Sequence, residues 1–177
     1  MDILYKKLDL TFSNIDIEKI RGEKVWSIST LEEFRIKDVE YLADCLKNKI
    51  QFITKPDFAN LTQIQSSKIS PHSDSFPSSL NIYLDVNEEV TYFWKEVTDD
   101  PLYVREKKNE VGIYVNSRLE LLGSFVAKCN ECYILNTHEI HSVDPNPNSK
   151  TRKILRFCWN HIPFSELHNH IKIFDTN

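Results

Sequence analysis

A chain of 177 residues is long enough for one domain around a single sizeable core, and its formal net charge of −4 argues against a nucleic-acid backbone as partner. Hydrophobic residues make up 41% and charged residues 27%, as in ordinary soluble proteins, and no apolar run reaches the roughly twenty residues of a membrane span. Three glycines, Gly22, Gly112 and Gly123, are too few for Walker-type or dinucleotide-type phosphate loops, which argues against nucleotide-dependent chemistry.

The first residues, Met1 to Lys7, lack the basic-then-apolar order of a secretory signal, so a cytoplasmic protein is expected. In that compartment Cys45, Cys129, Cys132 and Cys158 read as reduced thiols. Ile3 to Phe12 alternates loosely and stops at Ser13-Asn14, which predicts a strand and a turn. Thr30-Leu31-Glu32-Glu33 fits a capping box and predicts a helix start. Val39, Leu42, Ala43 and Leu46 recur at helical spacing, which predicts a helix over 38–48. Gln51 to Thr54 reads as a strand stopped by Lys55-Pro56.

Short runs rich in branched and aromatic residues then follow one another: Ser79 to Val86, Val90 to Trp94, Val111 to Val115, Leu119 to Lys128, Cys132 to Leu135 and Lys153 to Trp159. Polar turns separate them, and regular short strands of this kind argue for a sandwich or barrel. The segment Thr98 to Lys108, with Asp99, Asp100, Arg105 and Lys107, reads as a solvated loop placed where a lid over a polar substrate would fit. The expected fold class is mainly β with flanking helices (α+β). It is one domain over 1–177, with a few N-terminal helices packed against a double-sheet jelly roll whose barrel core runs over about 70–160.

Pro71-His72-Ser73-Asp74 precedes the first of those strands. His72 and Asp74 are two apart, so on extended chain an imidazole nitrogen and a carboxylate oxygen project from one face and can share a metal ion. A histidine from Asn136-Thr137-His138-Glu139-Ile140-His141, either His138 or His141, would complete two histidines and one carboxylate. That facial set leaves three coordination positions open, which suits Fe(II) activating dioxygen. Arg152 and Arg156 follow on one face of the next strand, and a guanidinium there could fork onto the far end of a dicarboxylate.

The order His72-x-Asp74, Leu80-Asn81-Ile82-Tyr83-Leu84, Thr91-Tyr92-Phe93-Trp94, His141-Ser142-Val143 and Arg152 resembles the 2-oxoglutarate/Fe(II)-dependent dioxygenase superfamily over about Ser70 to Trp159. The resemblance implies a double-stranded β-helix with Fe(II) between its sheets and 2-oxoglutarate as cosubstrate. It implies His72, Asp74 and His141 as metal ligands and catalytic centre, with Arg152 as the cosubstrate anchor and Arg156 as second choice or partner. It also implies that dioxygen and 2-oxoglutarate are consumed, succinate and CO2 are released, and a substrate C–H is oxidised. Many members carry serine or threonine two residues after the anchoring arginine, where this chain has Ile154. Halogenating relatives replace the carboxylate ligand with a small residue, so Asp74 favours hydroxylation.

Asn81 and Tyr83 share a strand face and would contact the cosubstrate if that face is the inner one. Tyr92, Phe93, Trp94 and Trp159 read as core packing. Cys129 and Cys132 flank a tight turn, and the short gap to His138 is unlike a zinc finger. His161, His168 and His170 read as surface residues. The function expected is hydroxylation of an amino acid, peptide side chain or small polar metabolite, without membrane or nucleic-acid partners. The alternatives are a cupin-like metal-binding protein without oxygenase activity and a metal-free structural domain.

Overall fold

Polar and apolar residues alternate along most of the chain, and most of the chain is strand. The structure is a computed structural model that describes residues 3–28, 31–65, 68–97, 103–106, 111–114, 118–144, 146 and 151–174, with backbone alone for 103–106 and 111–114. In chain order the elements begin with β1 (Tyr5–Thr11), α1 (Ile17–Ile20), β2 (Arg21–Ile28), β3 (Leu31–Ile36), α2 (Val39–Leu46), β4 (Ile50–Phe52), β5 (Phe58–Gln65) and β6 (Ile69–Ser73). They continue with β7 (Ser78–Asp85), β8 (Val90–Glu96), β9 (Tyr103–Glu106), β10 (Val111–Tyr114), β11 (Leu119–Val126) and β12 (Glu131–Asn136). β13 (Ile140–Asp144), β14 (Thr151–Trp159) and β15 (Ile171–Ile173) complete them.

Eight strands make the frame. β5 pairs with β14, β6 with β13, β7 with β12 and β8 with β11, each pair antiparallel. Successive pairs fall alternately in two sheets, ordered β1-β12-β7-β14-β5-β3-β2 and β11-β8-β13-β6-β10-β9. One long antiparallel ribbon coiled this way is a double-stranded β-helix, the jelly roll that the strand spacing predicts. Among the described residues no helix is long and apolar enough to cross a membrane.

Alternation gives the seven-stranded sheet two buried faces. Leu155, Phe157 and Trp159 of β14 join Leu61, Leu80, Ile82 and Ile134 in an apolar cluster outside the barrel, which also takes in Ile20, Leu42 and Leu46 from the helices. Each such side chain contributes about 1.5–3 kcal/mol when fully buried. The other face looks between the sheets, where Ile64, Tyr83, Phe93, Phe125, Tyr133, Leu135 and Ile154 form a second cluster. Arg152 and Arg156 share the parity of Ile154 and so face inward.

The N-terminal half differs from the expected helices. The capping-box segment is strand: Glu32 and Glu33 lie in β3, while Thr30 lies outside the described residues. Phe34 and Ile36 alternate into the outer cluster, and that burial outweighs a local cap signal. β3 pairs with β5 and β2 with β3, extending the sheet past the barrel. Gly22 permits that approach, since a Cβ there would stand 2.5 Å from the Arg35 carbonyl oxygen. The helix expected at 38–48 is α2, capped by the Asp38 carboxylate accepting from the Tyr41 amide at 2.9 Å. Within the segment expected as a solvated loop, Tyr103–Glu106 is instead a strand that pairs with β10 in the six-stranded sheet, and the rest lies outside the described residues.

Candidate metal centre

β6 and β13 are neighbours, and their register sets His72 directly opposite His141. The two imidazoles stand with ring centroids 4.3 Å apart. Each Nδ1 lies 2.9 Å from the carbonyl oxygen two residues earlier, Ser70 for His72 and Glu139 for His141. A carbonyl only accepts, so in the neutral tautomer that this contact selects each Nδ1 carries the proton and Nε2 offers a lone pair to the centre. Asp74 follows β6, where its amide donates to the Thr137 carbonyl at 2.9 Å, and its carboxylate lies within reach of both rings. His72 Nε2 is 3.6 Å from Asp74 Oδ1, and His141 Nε2 is 4.0 Å from Asp74 Oδ2. These side chains are 18%, 11% and 11% exposed for His72, Asp74 and His141, and one ion could reach a donor atom from each.

The electrostatics suit metal ligation. Burial opposes ionisation of Asp74, but the charges of Arg156, His141 and His72 outweigh it and hold the carboxyl below its usual range. Burial, aided by His72 and opposed by Asp74, lowers His141 to about 4. At neutral pH the set is therefore an ionised carboxylate beside a neutral His141 imidazole, the forms that bind a divalent ion.

The triad lines a small cavity of about 60 Å³, together with Asn81, Tyr83, Arg152 and Arg156. Asn81 and Tyr83 thus lie on the inner face, the orientation the sequence left open. Arg152 is 4% exposed, and its Nη2 donates to Thr91 Oγ1 at 3.2 Å. Its Cζ stands 4.9 Å from the Tyr83 ring centre, while Nε and Nη1 have no hydrogen-bond partner among the described residues. Further unpartnered buried atoms, Thr62 Oγ1, Asn81 Oδ1, Tyr83 Oη and Arg156 Nε, belong to residues lining the same cavity. Buried polar groups are normally satisfied, so this concentration marks a place for a polar ligand. Burial raises the Tyr83 hydroxyl above its ordinary value, which keeps it a neutral donor.

Arg156 is engaged differently. Its Nη2 donates to Asp74 Oδ2 at 2.9 Å and its Nη1 to Glu33 Oε1 at 3.4 Å. Asn60 Nδ2 donates to the other Glu33 oxygen at 3.1 Å. Glu33 is the site neighbour that the sequence reading missed, because the capping-box pattern claimed it. The signal was the alternation of Leu31, Glu33 and Arg35 against Phe34 and Ile36. His138, the other candidate for the distal ligand, is exposed in the β12–β13 turn and outside the triad. His170 bonds Thr54 Oγ1, and all four cysteines are free. Among the described residues, no group of three or more metal-binding side chains other than the triad forms a potential metal site.

No protein-family model matches the chain, and no curated protein matches it in sequence. Among solved structures it is similar to vicilin from Corylus avellana (hazelnut), at 11% identity and a TM-score of 0.43, over 80% of this chain and 32% of that one. It is similar to an oxalate decarboxylase from Lactobacillus farciminis in a formate complex, at 9% identity and a TM-score of 0.42, over 86% and 33%. A hydroquinone 1,2-dioxygenase in complex with Cd2+ and 4-hydroxybenzonitrile is similar at 13% identity and a TM-score of 0.39, over 57% of each chain. The chain spans about a third of the length of the first two. What stands from geometry alone is a mainly β jelly roll with a His72–Asp74–His141 cluster that could hold a metal ion.

Proposed function

We propose that the protein is a non-haem Fe(II)- and 2-oxoglutarate-dependent dioxygenase that hydroxylates an amino acid, a peptide side chain or another small polar metabolite. His72, Asp74 and His141 would hold Fe(II), which supplies dioxygen activation beside a chelating cosubstrate when bound. The observation that carries the reading is Arg152, a buried guanidinium with two donor nitrogens unpartnered in the cavity that the triad lines. Leaving such a cation unpaired costs several kcal/mol, and a ligand carboxylate offsets that cost. Tyr83 can add a hydroxyl donor to the same carboxylate.

Charge counting points to the same class of ligand. The carboxylates of Asp74 and Glu33 balance the guanidiniums of Arg152 and Arg156, so a divalent ion leaves an excess of two positive charges. A dianion restores neutrality. In the overall reaction 2-oxoglutarate, dioxygen and a substrate C–H give succinate, CO2 and the corresponding alcohol. The partly exposed Glu33, Arg156 and His72 favour a polar substrate.

Succinate release in air, measured with Fe(II) and 2-oxoglutarate over a panel of amino acids, peptides and nucleosides, tests this reading. Arg152→Ala is expected to raise the 2-oxoglutarate requirement roughly 100-fold while metal stays bound. An unchanged requirement transfers the anchor to Arg156. Metal binding without succinate from any substrate leaves a metal-binding jelly roll without oxygenase activity.

A further inference from the structure

We infer that Glu33 is a positioning residue for the metal centre, holding the Arg156 guanidinium so that one oxygen of Asp74 stays open to the ion. The inference rests on the reading of His72, Asp74 and His141 as metal ligands. A guanidinium beside a carboxylate tends to close a two-bond fork over both oxygens. Here the fork is split. Nη2 bonds Asp74 Oδ2 at 2.9 Å, while Nη1 is drawn to Glu33 Oε1 at 3.4 Å. Asp74 Oδ1, the oxygen 3.6 Å from His72 Nε2, is left without a hydrogen-bond donor among the described residues.

Glu33 is itself fixed. Asn60 on β5 donates to its Oε2 at 3.1 Å, and β3 pairs with β5 along that stretch. The Phe76 ring lies 5.1 Å from the Arg156 Cζ and limits where the guanidinium can turn. Glu33, Arg156 and Asp74 are all mostly buried, so solvent screens their interactions weakly. Remove Glu33, and Nη1 loses its acceptor next to a carboxylate that offers one. The guanidinium then rotates onto both Asp74 oxygens and competes with the metal. A strand outside the eight-stranded frame thereby tunes a ligand inside it, through one arginine.

Co(II) titration of the full chain, followed by visible absorption, tests this without cosubstrate or turnover. Glu33→Ala is expected to weaken Co(II) affinity about 10-fold or more, the usual effect of losing a group that orients a ligand. In an Arg156→Ala background the same substitution is expected to change affinity by no more than about twofold, since the competing guanidinium is gone. Glu33→Gln keeps side-chain volume and an acceptor and is expected to show a smaller loss with the same dependence on Arg156. It serves as the readout if Glu33→Ala fails to fold. Unchanged affinity in the single variants, or a loss that persists without Arg156, overturns the inference and leaves Glu33 a structural residue. Absence of Co(II) binding by the wild-type chain overturns the metal reading itself.

Discussion

On β14 the odd positions Leu155, Phe157 and Trp159 enter the apolar cluster outside the barrel, while the even positions Arg152 and Arg156 face the cavity between the sheets. The same contrast runs along β7, where Leu80 and Ile82 go outward and Asn81 and Tyr83 go inward. A sheet with one apolar buried face, and another that mixes apolar packing with the polar groups of the cavity, has divided two tasks between the faces. Burial on the outer side holds the strands together. The inner side gathers charge and buried polar atoms that have no hydrogen-bond partner among the described residues. Substitutions on the two faces should therefore separate stability from binding.

The largest expected effect is on binding. His72→Ala should abolish Co(II) or Fe(II) binding while the melting temperature moves by only a few degrees, as followed by titration and thermal denaturation. Retained metal would break the division at its inner face. Phe157→Ala should act in the opposite sense, costing about 3–5 kcal/mol in urea unfolding and leaving the metal affinity of the folded fraction unchanged. A weakened site in the folded fraction would mean that the two faces are coupled.

Acid should expose the inner face next. His141 stays neutral in the folded protein down to about pH 4, whereas in the unfolded chain it takes its proton at its ordinary value near 6.5. Between those values the unfolded chain holds the extra proton, so stability falls as pH is lowered, by up to about 3 kcal/mol across the window. Asp74, whose folded carboxyl titrates below its usual range, adds a loss at still lower pH. Urea midpoints at pH 7 and pH 4.5 should show the decline, and His141→Gln should flatten it. A smaller effect sharpens the comparison: Arg152→Leu removes an unpaired buried charge and should raise stability by about 1–2 kcal/mol. Dicarboxylate binding should weaken at the same time. Lower stability would mean that Arg152 already has a structural partner.

The sequence showed the outer face more clearly than the inner one, for a physical reason. β7, β8, β11, β12 and β14 stand out because their branched and aromatic residues serve one core or the other. Within the eight-stranded frame, the strands that escaped the pattern are β5, β6 and β13, with Asn60 and Thr62, Pro71 and His72, and His141 and Ser142. Site residues spoil the alternation by which strands are recognised. His72 and Asp74 were still legible, because two residues apart on extended chain is a local fact. His141 and Arg152 needed the family order. For Glu33 the local alternation could have marked a strand, but its place beside Arg156 depends on β3 crossing to β5, and nothing local to Leu31–Ile36 encodes that pairing.

The most direct test of the central claim is the anaerobic visible spectrum of the wild-type chain loaded with Fe(II) and then 2-oxoglutarate. A weak metal-to-ligand charge-transfer band that is absent from His72→Ala is the predicted result. Bound Fe(II) with no such band, and no succinate on admitting air, would contradict it.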